Sequence, residues 1–168
     1  VIIGGGPIGM EMAQAHRRLG AEVTVIEAGR ALAKEDPELA AIVLDRMRAE
    51  GVVVLENVKV VQTGKSGRWR TMVTCERAGG GTFEVTGSHL LIATGRKPNV
   101  EGLGLENAGI KYDRSGIRVG SDLVTSNSRV LAIGDITGGL QFTHVAGYHA
   151  GIAIQKILFR LPAKEDRA

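Results

Sequence analysis

Three glycines near the start of the chain have a spacing that could hold a phosphate group. Gly4, Gly6 and Gly9 lie in the stretch VIIGGGPIGME and form the pattern G-x-G-x-x-G. The first glycine of this pattern allows a sharp turn out of a strand, the second leaves room for a pyrophosphate, and the third allows close packing of the next helix. That helix, beginning near Pro7 and Ile8, would offer unpaired N–H groups to an anion. These residues together predict a dinucleotide-binding site.

Glu27 is an acidic residue of the kind that such a site needs for a ribose. It ends the β-branched stretch EVTVIE, about 20 residues beyond the glycines, where a carboxylate can accept hydrogen bonds from both hydroxyls of the adenosine ribose. The same carboxylate would repel a 2′-phosphate, so we predict NAD rather than NADP. Arg30 is the opposing signal, because a nearby arginine could hold a 2′-phosphate. We interpret Arg30 as a solvent-exposed loop residue.

Glu11 allows two interpretations. It follows Gly9 on the first predicted helix, near the expected phosphates. It could make a favourable contact with the dipole of that helix in its first turns. Alternatively, its carboxylate points at the reacting end of the cofactor, which makes Glu11 the one candidate catalytic residue.

A second group of candidate residues lies far along the chain. Gly95 follows a predicted buried strand in the stretch ATGRKPN, where it could let the backbone approach a ligand. Gly134 and Asp135 end the predicted buried strand VLAIGD, and an acid in that place is well placed to bind a chain of hydroxyl groups. Thr143 and His144 begin the last predicted helix, whose N–H groups could face a negative atom of a flavin.

The motifs are carried by alternating strands and helices. A strand, the glycine turn, a helix over residues 8–19 and the strand EVTVIE form a βαβ unit. A second helix over residues 37–49 and the strand GVVVLE follow. Residues 58–85 read as an antiparallel meander, and HLLIATG returns to the parallel pattern. We predict an α/β fold: a Rossmann-like three-layer NAD-binding domain with a parallel sheet and an antiparallel β-meander.

The pattern of elements changes after about Asn99. Short strand pieces are predicted near Ile110 and Val119 and over residues 130–135, and an amphipathic helix over residues 142–159 closes the chain. We therefore expect a domain boundary near Asn99.

Composition argues against several classes of partner. The net charge is only +3, basic residues are spread along the chain and 4% of residues are aromatic, so we predict no nucleic-acid surface. No stretch has the length and apolar character of a membrane span, and we expect no membrane partner. Cys75 is the single cysteine, so we predict a buried or half-buried structural thiol, no metal site, and a reducing, cytoplasmic setting.

The stretches GGGPIGME, VTVIEAGR, ATGRKPN, GIRV and VLAIGD, in this order, resemble the class I pyridine nucleotide-disulphide oxidoreductase family. The resemblance covers essentially the whole chain. It implies that residues 1–99 are an NAD(H)-binding domain and residues 100–168 a returning segment of an FAD-binding domain. The chain would then be an inactive fragment of an enzyme that is a homodimer through a C-terminal domain absent here.

For the first half of the chain, the resemblance implies an NAD site. The glycine turn would bind the pyrophosphate, Glu27 would bind the adenosine ribose, and Gly95 would line the site. Glu11 would lie near the nicotinamide, where the family pairs it with a lysine.

For the second half, the resemblance implies an FAD site. Asp135 would bind the ribityl chain, and the backbone of Thr143 and His144 would lie near the flavin O2 atom. The family also uses a redox disulphide, which this chain cannot form by itself because Cys75 is its single cysteine. The family's C-terminal His-Glu pair is also missing from this sequence. We interpret His144 and His149 as ordinary helix residues.

The expected function is transfer of a hydride from NADH to FAD, and of electrons onward to a disulphide-type acceptor. A related NADH oxidase or peroxidase is an open alternative, which residues upstream of Val1 would distinguish by the presence of paired cysteines. A single-domain nicotinamide dehydrogenase is a further alternative. It requires a Tyr-Lys or His constellation, and neither Tyr112 nor Tyr148 has a lysine at helical spacing.

Overall fold

The computed structural model describes residues 1–166, which divide into two compact units. The first unit is Val1–Gly95 and the second begins at Arg96. The assignment of residues 1–99 to NAD and residues 100–168 to FAD stays a prediction.

The first unit is built around a parallel sheet. Its strands are β1 (Ile2–Ile3), β2 (Thr24–Ile26), β3 (Val53–Leu55) and β7 (Leu91–Ile92). The strands lie in the order β3-β2-β1-β7, and all three pairings are parallel. Because β1 lies in the middle of this order, the turn that follows it emerges at the centre of one sheet edge.

Two helices connect the parallel strands. Helix α1 (Pro7–Arg18) has proline in its first turn, where the missing N–H leaves no bond unmade. Helix α2 (Pro37–Ala49) is capped by Asp36, whose Oδ1 accepts from the N–H groups of Glu38 at 2.9 Å and Leu39 at 3.2 Å. The structure confirms both predicted helices.

An antiparallel meander forms the remaining layer of the first unit. Its strands are β4 (Val58–Ser66), β5 (Arg70–Arg77) and β6 (Thr82–Gly87), and both pairings are antiparallel. Cys75 lies on β5 and is fully buried, which confirms the predicted structural thiol.

The period-two pattern of the parallel strands explains why three layers form. Ile2 and Val25 pack in the core shared with α1 and α2, whereas the next residues, Ile3 and Ile26, pack in the core shared with the meander. Successive side chains of a strand point to opposite faces, so each strand supplies both cores. The predicted α/β fold class, with a parallel sheet and an antiparallel meander, is confirmed.

The second unit contains less regular structure. Strands β8 (Tyr112–Asp113) and β9 (Gly116–Ile117) form a hairpin. A short 3₁₀ helix spans Gly134–Thr137, and helix α3 spans Thr143–Phe159. The core of this unit is apolar and includes Val100, Leu105, Ile110, Ile117 and Ala132.

Two of the strand predictions for this unit need correction. The stretch VLAIGD is not a strand: Leu131 forms one isolated bridge with Val124, and Gly134 and Asp135 lie in the 3₁₀ helix. A strand needs a paired neighbour along its length, and within the described residues this stretch has that single bridge. The strand predicted near Ile110 forms instead at β8.

The last helix is present as predicted, but its amphipathic character is not. His149, Ile152 and Ala153 are buried, whereas apolar side chains on other sides of the helix are exposed, namely Ile154, Ile157, Leu158 and Phe159. Apolar residues therefore surround the C-terminal half of the helix. Across residues 1–166, no helix has both the length and the apolar character needed to span a bilayer.

Candidate functional site

The glycine turn is shaped by close contacts between backbone segments. Gly4 has φ +108°, and a Cβ added there would meet the carbonyl oxygen of Ala93. A Cβ added at Gly9 would meet the carbonyl oxygen of Gly4, so α1 packs directly on the turn. A Cβ added at Gly6 meets nothing within 4 Å. The middle glycine therefore faces open space while its two partners are packed.

An open groove of about 310 Å³ lies against this turn. It is lined by the glycine turn, the end of β2 with the loop after it, and the segment that follows β7. Most of the predicted NAD-site residues meet there: Gly4, Gly6, Pro7, Ile8, Glu27 and Gly95. Gly9 and Glu11 are not among its lining residues.

The N-terminus of α1 opens toward the groove without a side-chain cap. Gly6 is the N-cap residue, and the N–H of Met10 makes the first intrahelical bond to the Gly6 carbonyl at 3.0 Å. The first turn contains no acidic residue, so its positive partial charge is uncompensated. Glu11 lies beyond that turn and is exposed. Both interpretations of Glu11, as a contact with the helix dipole and as a group near a nicotinamide, stay predictions.

The Glu27 carboxylate ties the glycine turn to the loop after β2. Its Oε2 accepts from the N–H of Gly5 at 2.7 Å, and its Oε1 accepts from the N–H of Gly29 at 2.9 Å. A carboxylate has about four acceptor positions, so both oxygens keep capacity for further donors. The side chain is thus fixed in place and can still bind hydroxyl groups.

Two cationic side chains also line the groove. Arg30 and Lys34 lie in the loop after β2 and are exposed. Neither takes part in an ion pair found among residues 1–166. Glu35 lines the groove as well, so the charge there is mixed. Arg30 is exposed, as expected, and it borders the groove.

In the second unit, Asp135 forms an ion pair with Arg96, which was not among the predicted site residues. Arg96 Nη1 lies 3.5 Å from Asp135 Oδ2 and donates to the carbonyl of Gln141 at 3.0 Å. Asp135 remains half exposed, with 48% of its side chain accessible. The arginine in ATGRKPN was the available signal, since it follows directly on Gly95.

Gly134 contacts the side chain of His149, which was predicted to be an ordinary helix residue. Its N–H donates to Nδ1 of His149 at 3.0 Å, and His149 is 3% exposed. Thr143 and His144 begin α3, which has no side-chain cap, and the ring of His144 stacks on Phe142 with centroids 5.3 Å apart. The predicted flavin-site residues thus lie on the 3₁₀ helix and at the start of α3, within one unit.

No group of three or more His, Cys, Asp or Glu residues that could hold a metal ion occurs in the part of the chain that the structure describes. The two turns themselves present backbone N–H groups, glycine-lined space and single carboxylates.

Comparison with known proteins relates these sites to one family. The chain is 37% identical over 156 residues to a dihydrolipoyl dehydrogenase of Bacillus subtilis, covering 90% of the chain and 32% of that protein. It is 38% identical over 170 residues to a mercuric reductase of Staphylococcus aureus, covering 98% of the chain and 30% of that protein. These relatives are oxidoreductases, and the chain spans about a third of their length.

A solved structure supports the same relationship. The Cu(II) complex of the HOCl-induced flavoprotein disulfide reductase RclA from Escherichia coli superposes with a TM-score of 0.86 at 33% identity. The superposition covers 97% of this chain and 37% of that one. The family model for pyridine nucleotide-disulphide oxidoreductases matches residues 1–150, which include both the glycine groove and the turn at Asp135. The chain belongs to the pyridine nucleotide-disulphide oxidoreductase family.

Proposed function

We propose that the chain binds NAD(H) in the groove beside the glycine turn, as part of a flavoenzyme that oxidises NADH and reduces a disulphide-type acceptor. One observation carries the proposal: the uncapped N-terminus of α1, the open face of Gly6 and the fixed Glu27 carboxylate border one groove. An anion at one place and a hydroxyl pair at another are what a dinucleotide presents.

The glycine turn supports binding of the pyrophosphate. Backbone N–H groups in the first turn of α1 have no intrahelical acceptor, and no acidic side chain in that turn repels an anion. The open space beside Gly6 lets phosphate oxygens approach the backbone. Pro7 and Ile8 line the same face, and Gly95 borders it from the segment after β7.

Glu27 supports NAD over NADP. Its two contacts with backbone N–H groups hold the carboxylate at the end of β2, where both oxygens can accept from ribose hydroxyls. A 2′-phosphate there would lie against a fixed negative charge. Arg30 and Lys34 oppose this preference, but both are exposed and free to remain in solvent. We therefore propose NAD(H) as the nucleotide.

The residues of the second unit fit a flavin nucleotide. Asp135 is half exposed and lies 3.5 Å from Arg96, so its carboxylate is accessible and can accept from the ribityl hydroxyls. The N–H groups of Thr143 and His144 open an uncapped helix and can face a negative atom. FAD, when bound, would accept the hydride and pass electrons onward.

Two further parts of the proposal concern the position of Glu11 and the assembly of the enzyme. We propose that Glu11 lies near the nicotinamide. We also propose that the whole enzyme is a homodimer.

The family assignment disfavours a single-domain nicotinamide dehydrogenase, because the match extends through the second unit to residue 150. The choice between a disulphide reductase and a related NADH oxidase or peroxidase is part of the proposal. The reductase is preferred, because the solved neighbour with a TM-score of 0.86 is described as a flavoprotein disulfide reductase.

Calorimetric titration of the chain with NADH and with NADPH tests the nucleotide assignment. We expect NADH to bind and NADPH to bind at least about tenfold more weakly, which corresponds to one repelled or unpaired contact of about 1.4 kcal/mol. Equal or tighter binding of NADPH would refute the NAD assignment. Absence of binding by both nucleotides would refute the site.

A further inference from the structure

A buried imidazole connects α3 to the turn that carries Asp135. His149 lies inside α3 and is 3% exposed. Its Nδ1 accepts a hydrogen bond from the N–H of Gly134 at 3.0 Å, and its Nε2 lies 3.1 Å from Oε1 of Glu165. Both ring nitrogens are therefore used, one by each of two separate chain segments.

These contacts determine where the imidazole carries its proton. A backbone N–H can only donate, so Nδ1 must be the unprotonated nitrogen when it accepts from Gly134. The proton of the neutral ring then lies on Nε2, which donates it to the Glu165 carboxylate. His149 in this arrangement is a neutral acceptor for the turn and a donor for the C-terminal segment.

Gly134 depends on this acceptor for its backbone N–H. The residue begins the 3₁₀ helix, and the first N–H groups of a helix have no acceptor within it. Gly134 is buried, and a buried N–H without an acceptor is unfavourable. Its φ is +69°, and a Cβ added there would lie 3.0 Å from Cβ of Ala146 on α3. The turn is thus fitted closely to the helix that supplies the acceptor.

We propose that His149 is a positioning residue, which fixes the Gly134–Asp135 turn through the hydrogen bond from Gly134 N–H to Nδ1. Asp135 follows Gly134 directly, so the same bond sets where its carboxylate meets Arg96. This inference rests on the proposed function only in assigning Asp135 to a flavin. It extends that function by naming the side chain on which the geometry of the carboxylate depends.

A pair of variants separates this role from simple filling of the core. In His149→Asn, Oδ1 can occupy the position of Nδ1 and accept from Gly134, while the donor to Glu165 is lost. In His149→Gln, the side-chain N–H can reach the position of Nε2, while the acceptor for Gly134 is lost. His149→Leu removes both contacts and keeps an apolar side chain in the core.

Amide hydrogen exchange of the full chain, followed by NMR, provides the readout. The N–H of Ala132, which donates to the Leu123 carbonyl at 3.1 Å, is the reference within the same unit. Relative to this amide, we expect Gly134 to exchange about tenfold faster in His149→Leu and His149→Gln, as for loss of one hydrogen bond. In His149→Asn we expect protection within about twofold of wild type.

Two results would overturn the positioning role. One is that His149→Asn loses Gly134 protection as fully as His149→Leu. The other is that all three variants speed exchange at Gly134 and Ala132 by the same factor, as for a residue that only fills the core. Because this measurement involves no flavin, it is independent of the proposed function.

Discussion

The turn that contains Gly4, Gly6 and Gly9 and the turn at Gly134 both use glycine at positive φ, yet different contacts hold them. In the first turn, backbone packs on backbone: Gly9 lies against the Gly4 carbonyl, and Gly4 lies against Ala93. In the second, side chains bind the turn from outside, through His149 at Gly134 and Arg96 at Asp135. Close backbone packing therefore restricts the first turn, to which Glu27 adds one side-chain contact at Gly5, whereas the second turn is contacted by the side chains of His149 and Arg96.

This difference predicts how each turn responds to substitution. A turn held by close backbone approach should fail when a small group is added at a packed position and tolerate it at an open one. A turn held by side chains should fail when a distant donor or acceptor is removed. The two glycine turns can be compared directly, because one chain contains both.

The largest effect is expected for Gly9→Ala. The added Cβ would overlap the Gly4 carbonyl oxygen, and both atoms belong to backbone that is held by the sheet and α1. We expect the free energy of unfolding of the first unit to fall by about 3 kcal/mol, as for a strongly overpacked site. Urea denaturation followed by circular dichroism measures it.

Gly6→Ala is the matched control for this prediction. Gly6 has φ −75° and open space around its missing Cβ, so alanine fits there. We expect a change in unfolding free energy below about 1 kcal/mol, set by the N-cap preference. Equal losses in the two variants would show that Gly9 is not the packed position.

The next largest effect is expected for Gly6→Val, in ligand binding rather than in stability. The branched side chain would project into the groove where the pyrophosphate is proposed to lie. We expect the affinity for NADH to fall about 100-fold, or about 2.7 kcal/mol. Calorimetry on the folded variant measures it, and unchanged affinity would contradict the assignment of the groove.

Gly134→Ala should have an intermediate effect, confined to the second unit. Its φ of +69° strains any other residue, and the new Cβ would lie 3.0 Å from Ala146. We expect the unfolding free energy of this unit to fall by about 1–2 kcal/mol. Exchange rates of amides in the two units separate this loss from a global one, and equal changes in both units would contradict the prediction.

Glu27→Ala should weaken NADH binding by about tenfold, as for loss of a charge-assisted hydrogen bond to ribose. Glu35→Ala is the matched control, because Glu35 lines the same groove away from the end of β2. We expect its affinity for NADH to stay within about twofold of wild type. Equal losses in both variants would indicate a general effect of charge.

The smallest effect is expected at the junction of α1 and α2. Hydrogen bonds from Arg18 and Arg46 lower the pKa of Glu50 from 4.5 to about 2. An acid whose pKa is lowered on folding adds stability above its unfolded pKa and loses it on acidification. We expect the melting temperature of Glu50→Gln to approach that of wild type as the pH falls from 4.5 toward 2. A difference in melting temperature between the variant and wild type that stays constant over this pH range would contradict the stabilising role of the Glu50 hydrogen bonds.

Local signals in the sequence predicted most of the first unit. Each of these signals lies within a few neighbouring residues: the G-x-G-x-x-G spacing, Pro7 at a helix start, and Asp36 before Pro37. Glu27 was identified from its distance to the glycines. Its contacts with Gly5 and Gly29 were not, because the partner of a carboxylate depends on how the two loops meet.

The second unit was predicted less well, and for a physical reason. The stretch VLAIGD has the composition of a buried strand, but pairing rather than composition makes a strand, and only Leu131 is bridged. His149 gave no local signal, since its partner Gly134 is 15 residues away. Arg96 had a signal in its motif, yet its pairing with Asp135 depends on the tertiary fold.

Because Cys75 is buried, its reaction with a thiol reagent can report the opening of the first unit. The thiol is inaccessible between the meander and the parallel sheet, and burial raises its pKa, so little reactive thiolate is available in the folded unit. An alkylating reagent can therefore modify Cys75 only when this unit opens. Since the chain contains no other cysteine, the rate of alkylation reports the opening of the first unit alone. The second unit has no thiol that could react.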